Sequence, residues 1–204
     1  MGGSLLKNEA KLHDFCKELG EVMARHLVLV VPGGGAFADL VRKIDERLRL
    51  KPLTSHLMAL LAMEQYGLLL ADLIPNVRVI ARLSDLDDRS ALLLPYVEVR
   101  EDHQLPPSWS VTSDAIAARI AERLGISKLL LVKDVEGVVE EGKLLEEVEA
   151  SKLMKARESC IDTYTPVILI RSRITCYVLS GLVKGNLQRF MEGLPVRCTR
   201  IIPE

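Results

Sequence analysis

Several short clusters in this chain have residue types and spacings that can do chemistry. Pro32-Gly33-Gly34-Gly35 follows the short valine-rich run 27–31 and precedes apolar residues at helical spacing. Backbone amides at such a strand-to-helix turn converge on an anion, and the dipole of the following helix adds to the attraction. The turn lacks both the Gly-Lys-Ser/Thr of a Walker A loop and the spacing of a dinucleotide turn, and three glycines also suit a tight turn with positive φ angles. Gly2-Gly3-Ser4 offers a second turn of the same kind if a strand precedes it; on the residues alone it also reads as an unstructured start. Asp114, in Thr112-Ser113-Asp114, stands in a first helical turn, where the dipole favours a carboxylate by about 0.3–1 kcal/mol. Helix capping accounts for it; so does a carboxylate that orients groups around a transferring phosphoryl. Lys133-Asp134-Val135-Glu136-Gly137 comes directly after an apolar run and combines a cation, an acceptor and a flexible glycine, a spacing shared by many ordinary turns. His56 has Met63 seven residues on, which suits a core histidine, and Trp109 in Pro106-Pro107-Ser108-Trp109 suits a lid or an anchor.

The elements that must position these residues follow from hydrophobic periodicity. Leu12, Phe15, Cys16, Leu19, Val22 and Met23 mark a helix, 27–31 a buried strand, and Phe37, Leu40, Val41, Ile44 and Leu48 one face of a second helix. A third helix is expected over about 54–70, then short strands at 77–80 and 91–94, and a helix from Thr112 to Gly125. Leu129–Val132 reads as the next buried strand, followed by a Glu/Lys-rich hairpin or loop, strands at Val167–Ile170 and Cys176–Leu179, a helix at Asn186–Met191 and a last strand near 197–202. Strands that are continuously apolar and alternate with helices predict an α/β fold with a largely parallel sheet covered on both faces, and ligands in such sheets sit at strand carboxyl ends.

Composition narrows the functional classes. With 204 residues, 27 basic against 28 acidic side chains and a net charge of −1, the chain has no field to attract nucleic acid or an anionic membrane. No apolar run approaches the roughly 18 residues of a membrane span, and Lys7, Glu9, Lys11 and Asp14 interrupt the place of a signal peptide, so a cytoplasmic protein is expected. Cys16, Cys160, Cys176 and Cys198 lie far apart and read as reduced, buried thiols.

Taken in order, Gly2-Gly3-Ser4-Leu5, Val31-Pro-Gly-Gly-Gly-Ala-Phe-Ala-Asp39, Thr112-Ser-Asp-Ala-Ile-Ala-Ala118 and Leu131-Val-Lys-Asp-Val-Glu-Gly-Val138 resemble the amino acid kinase superfamily, with Val178-Leu-Ser-Gly181 and Cys198-Thr-Arg-Ile201 closing the series. The likeness spans the whole chain. Leu105–Asp114, the Lys-Asp-Val-Glu-Gly turn, Ser55-His56-Leu-Met-Ala59 and the short length look like the archaeal-type [5-(aminomethyl)furan-3-yl]methyl phosphate kinases of methanofuran biosynthesis. The resemblance implies a three-layer αβα sandwich with a central, largely parallel sheet, forming one domain over 1–204. About 1–100 would bind the acceptor and about 101–204 the nucleotide, and such proteins are usually homodimers or higher homo-oligomers. ATP and Mg2+ are implied, with a small phosphate monoester phosphorylated to a diphosphate, and with no protein metal ligand assigned.

Carried over by motif, Gly2 and Gly3 would approach the transferring phosphate and Asp114 would organise the catalytic centre. Gly33, Gly34, Gly35, His56 and Ser113 would bind the acceptor, and Lys133, Asp134 and Gly137 would border the nucleotide. Related readings are a kinase acting on uridylate or isopentenyl phosphate, or a non-catalytic nucleotide or oxyanion binder similar to molybdenum storage proteins. Two departures stand out. Relatives carry a lysine-bearing strand ahead of the Gly-Gly-Ser turn, whereas Met1 stands at that edge; either the chain starts late, which is the expectation, or its activity is impaired. The segment around Ser151–Lys155 is shorter than the region where larger relatives carry a further lysine, and that role is assigned to neither Lys152 nor Lys155.

Overall fold

Two hydrogen-bonded sheets carry the two halves of the chain in the computed structural model, which describes residues 1–154 and 159–204. In the first, β1 (Leu29–Val30) and β2 (Val79–Ile80) flank β3 (Ala91–Leu93), all parallel. The second runs β4 (Lys128–Lys133), β8 (Thr175–Ser180), β9 (Cys198–Ile202), β7 (Glu147–Glu149). Only its β8–β9 pair is antiparallel. A separate hairpin joins β5 (Val139–Glu140) to β6 (Lys143–Leu144).

Side chains that point alternately to the two faces of a strand give this molecule two cores. Val30, Leu92, Val132 and Leu179 pack on one face with α1 (Glu9–Met23), while Val31, Leu93, Leu131 and Val178 pack on the other with α5 (Ser113–Arg123) and α7 (Thr165–Ser172). Both faces are therefore covered, which explains strands that are apolar throughout rather than at every second residue. The remaining helices are α2 (Gly35–Leu48), α3 (Pro52–Leu73), α4 (Tyr96–Arg100), α6 (Ala150–Leu153) and α8 (Asn186–Met191). Among the described residues no helix is long and apolar enough to cross a membrane.

The expected single sheet is interrupted between β1 and β4. There the backbone of Met1 and Gly2 hydrogen-bonds to both sides: the Met1 nitrogen donates to the Val31 carbonyl (2.7 Å), Gly33 N–H to the Met1 carbonyl (2.8 Å), and Gly2 N–H to the Val132 carbonyl (2.7 Å). The two bonds of Met1 have the pattern of a parallel ladder. An apolar cavity of about 300 Å3, lined by Phe15, Leu29, Val31, Leu129 and Phe190 among others, lies along this seam.

One element differs in type from the sequence reading. Residues 167–170, a Val-Ile-Leu-Ile run expected as a strand, lie inside α7. Pro166 sits in the first turn of that helix, where its missing N–H costs nothing, and Asp162 accepts from Thr165 N–H (2.6 Å), so helix-start chemistry overrides β-branched composition. Short α4, α6 and β7 were not foreseen. Cys16 and Cys176 are buried free thiols as expected, but Cys160 and Cys198 are only half-buried.

Candidate active site

Both glycine turns meet backbone to backbone. A side chain at Gly3 would collide with the backbone of Gly35, and one at Gly33 with Gly3, so the two turns fit together only because neither carries a Cβ. Gly35 also has φ +52°, a left-handed conformation in which glycine is unstrained. The expected role of glycine thus has a packing component at residues 2–3 and 33–35 alike. The start of α2 lies at this junction, with Gly34 as its N-cap and no side chain capping it.

Asp114 is not the cap of α5. Thr112 holds that position, accepting from the Asp114 N–H (3.4 Å), and is itself gripped by Asp162, whose Oδ2 accepts from the Thr112 N–H (2.9 Å), Thr112 Oγ1 (2.6 Å) and Ala115 N–H (3.2 Å). The other oxygen of Asp162 accepts from Thr165 N–H and Oγ1, so a single carboxylate fixes the starts of both α5 and α7. Freed from capping, the buried Asp114 carboxylate takes the Lys133 ammonium at 2.6 Å, from the carboxyl end of β4. Burial pushes the Asp114 carboxyl above its usual range, and the Lys133 charge opposes that shift. Two residues singled out separately in the sequence are thereby one ion pair.

A cavity of about 320 Å3 opens beside the glycine turns. Gly3, Gly34, Gly35, His56 and Ser113 all line it, together with Lys7, Asp39, Arg42 and Trp109. His56 is on α3 and half-buried, and burial lowers its pKa from the ordinary value. It faces the cavity rather than the core, contrary to the bland reading of a histidine with Met63 seven residues away; Met63 lines the same cavity. Trp109 is an anchor: its Nε1 donates to Asp45 Oδ2 (2.6 Å), and Arg42 lies over its ring at 4.4 Å.

Of the remaining expected site residues, Gly2 and Gly33 do not line the cavity and give their N–H groups to Val132 and Met1, and Asp134 and Gly137 lie in the turn that follows β4. Asp134 is partly exposed, and Lys7 lies 3.9 Å from its Oδ2. Gly137 is buried, and a Cβ there would collide with the Thr199 hydroxyl, which accepts from Val138 N–H (2.8 Å) and donates to the Leu145 carbonyl (2.6 Å). Packing of the hairpin on β9 accounts for that glycine. Of the two lysines left without a role, Lys152 reaches Glu149 (3.5 Å), and Lys155 lies outside the described residues. Among the described residues, no three His, Cys, Asp or Glu side chains converge as a metal cage.

Sequence reasoning missed Asp162, Asp45, Arg42 and Lys7. Asp162 carries a local signal, an acidic residue shortly before Pro166 and an apolar run, which is the mark of a helix start. Arg42 and Asp45 differ in no visible way from the solvated charges of any amphipathic helix.

The model of the family described as "Amino acid kinase family" matches residues 1–169. The [5-(aminomethyl)furan-3-yl]methyl phosphate kinase of Methanocaldococcus jannaschii is 29% identical over 99% of this chain and 95% of its own length. Among solved structures, the uridylate kinase of Archaeoglobus fulgidus superposes with a TM-score of 0.75 over 98% of this chain and 97% of that one, at 23% identity. The UMP kinase of Ureaplasma parvum gives 0.72 at 16% identity over 95% of this chain and 89% of that one.

Proposed function

The chain belongs to the amino acid kinase family, and from that premise we propose that it transfers the γ-phosphoryl of ATP to the phosphate of a small monoester, [5-(aminomethyl)furan-3-yl]methyl phosphate, giving a diphosphate and ADP. The observation that carries this reading is the buried Asp114–Lys133 pair at the carboxyl end of β4, with the Lys133 side chain lying against Gly2 of the first glycine turn.

An acceptor phosphate is its own nucleophile, since its second ionisation falls near pH 6, and no general base has to be found. One of its oxygens forms the new bond to the γ-phosphorus as the bond to the β,γ-bridging oxygen breaks, and ADP leaves with that electron pair. Charge spread over the equatorial oxygens is what the protein must stabilise. In this reading Asp114 holds Lys133 in one rotamer so that its ammonium faces the transferring group. The amides of Gly3, Gly34 and Gly35, which line the cavity, orient the acceptor phosphate, with Ser113 at its edge, and His56 donates an N–H to it; Gly2 and Gly33 give their N–H groups to the Val132 and Met1 carbonyls and shape the turns instead. Asp134 and Gly137 border the nucleotide. Bound together with ATP, Mg2+ would neutralise charge on the phosphates, and no side chain of this chain is assigned to it as a ligand.

The test is ADP release measured with ATP and Mg2+ alone, and then with [5-(aminomethyl)furan-3-yl]methyl phosphate, UMP or isopentenyl phosphate added. Acceptor-dependent release, largest with the aminomethylfuran ester, is expected. ATP binding with no turnover on any of the three would leave a nucleotide binder.

A further inference from the structure

Trp109 divides two cavities. The one beside the glycine turns, about 320 Å3, stands at the small end of the roughly 300–1,000 Å3 typical of ligand sites. Behind it a larger, more open cleft of about 810 Å3 runs between the end of α2 and the loop before α7, bounded by Leu50, Pro107 and Asp162. Among the described residues only Arg42, Trp109 and Thr112 line both. Thr112 is a helix cap fixed by Asp162, so the movable part of the partition is the stacked pair of Arg42 and Trp109.

That pair is held unusually firmly for a loop residue. Asp45 grips the indole N–H with Oδ2 while its Oδ1 accepts from Leu50 N–H (3.0 Å), so the carboxylate is itself pinned to the end of α2. Arg42, one turn earlier on the same helix, covers the ring face, and Pro106-Pro107 stiffens the chain that leads in. Because its only polar atom is already bonded, the indole offers no hydrogen bond to a ligand. What it contributes is a wall.

We infer that Trp109, pinned by Asp45 and stacked under Arg42, is the specificity-determining end wall of the acceptor pocket: it admits phosphate monoesters whose organic part is a single small ring or short chain and excludes nucleoside monophosphates. The inference rests on the kinase reading above, with the phosphate at the glycine turns. Truncating the indole joins the small cavity to the large cleft, and a bulkier acceptor gains room that the small one does not use.

The experiment compares kcat/KM for [5-(aminomethyl)furan-3-yl]methyl phosphate and for UMP in wild type, Trp109→Phe, Trp109→Leu and Trp109→Ala. Both acceptors are assayed on the same preparation, so the ratio is independent of how much of a variant is folded. Wild type favours the furan ester; the ratio shifts toward UMP by 10-fold or more in Trp109→Ala, by less in Trp109→Leu, and hardly at all in Trp109→Phe, which keeps a ring. Turnover of the furan ester with a ratio that does not move in Trp109→Ala and Trp109→Leu overturns the wall and leaves the kinase reading intact. A wild type that turns over neither acceptor while binding ATP overturns the kinase reading, and the wall with it.

Discussion

The two sides of the crevice are built to different standards of rigidity. On the side proposed for the acceptor, two glycine turns are locked backbone to backbone, and Trp109 is tied to α2 by a 2.6 Å hydrogen bond and a stacked guanidinium. On the side proposed for the nucleotide Lys133 is fixed by Asp114, and the turn that follows is more open: Asp134 faces the exposed Lys7 at 3.9 Å, Glu136 meets Arg197 at 3.2 Å, and Val135 and Val139 stand open to solvent. A pocket whose walls are already in place selects among acceptors with little ordering cost at binding. A turn whose charges are held by solvent-exposed partners can exchange them for a ligand's, which suits the proposed nucleotide with its own charge. Asp114 stands between the two sides, so its loss has the largest expected effect.

Asp114→Asn keeps an oxygen for the Lys133 ammonium but removes the charge. Losing one partner of a buried pair costs up to about 3–5 kcal/mol, so the melting temperature falls as well as turnover. Because Thr112 and Asp162 do the capping, this loss comes from the ion pair and not from the helix end. Turnover is expected to drop by about 100-fold or more, the scale of removing a group that stabilises transition-state charge. The double variant Asp114→Leu with Lys133→Met separates the two effects in calorimetry and ADP-release assays: melting temperature recovers, turnover does not. Recovery of both would reduce the pair to a structural strut.

Much of this arrangement was legible in the sequence because its signals are local. Strand, glycine turn and helix follow one another within a dozen residues at 29–41, and each leaves its mark in residue type. The hairpin, the helix at Asn186–Met191 and the strand at 128–133 were readable for the same reason. What sequence alone withheld is long-range. Asp114 finds Lys133 nineteen residues on, Trp109 finds Asp45 across sixty-four, and Asp162 reaches back fifty to Thr112. No period or propensity encodes those pairings. The seam between β1 and β4 was invisible in another way, because a ladder's partner is set by tertiary register and not by the strand's own composition.

On the acceptor side, Gly34→Val is the next largest perturbation. A Cβ at Gly34 runs into the Ala38 methyl one turn along α2, so the substitution first strains the helix start, at a cost of about 1–3 kcal/mol, and only then crowds the ligand. Placing Gly34→Val in an Ala38→Gly background relieves the collision. In that background the melting temperature is expected to return most of the way, while acceptor KM stays raised at least 10-fold and ATP affinity is unchanged. Weakened ATP binding with normal acceptor KM, read by separate titrations, would show the two sides to be exchanged.

His56→Ala gives the smallest effect, and its sign depends on pH. Burial lowers the histidine's pKa below its unfolded value of about 6.5, so at pH 7.5 the ring is neutral and donates a single hydrogen bond. Removing such a bond costs about 0.5–1.5 kcal/mol, a rise of roughly 3–10-fold in acceptor KM. As pH falls, the unfolded histidine takes up its proton before the folded one does. The stability contributed by the neutral ring is therefore full above about pH 6.5 and is lost down to the lowered folded pKa. A bound phosphate works the other way, since it favours the charged ring. Lys7, Asp39 and Arg42 line the same cavity in both proteins, and the acceptor's own titration cancels when wild type and variant are compared at one pH. The ratio of their acceptor KM values should thus widen on acidification from pH 7.5 to 5.5, while the wild type alone shows the extra drop in melting temperature. A ratio that stays constant, with the same acid dip in both proteins, would remove His56 from the acceptor's phosphate.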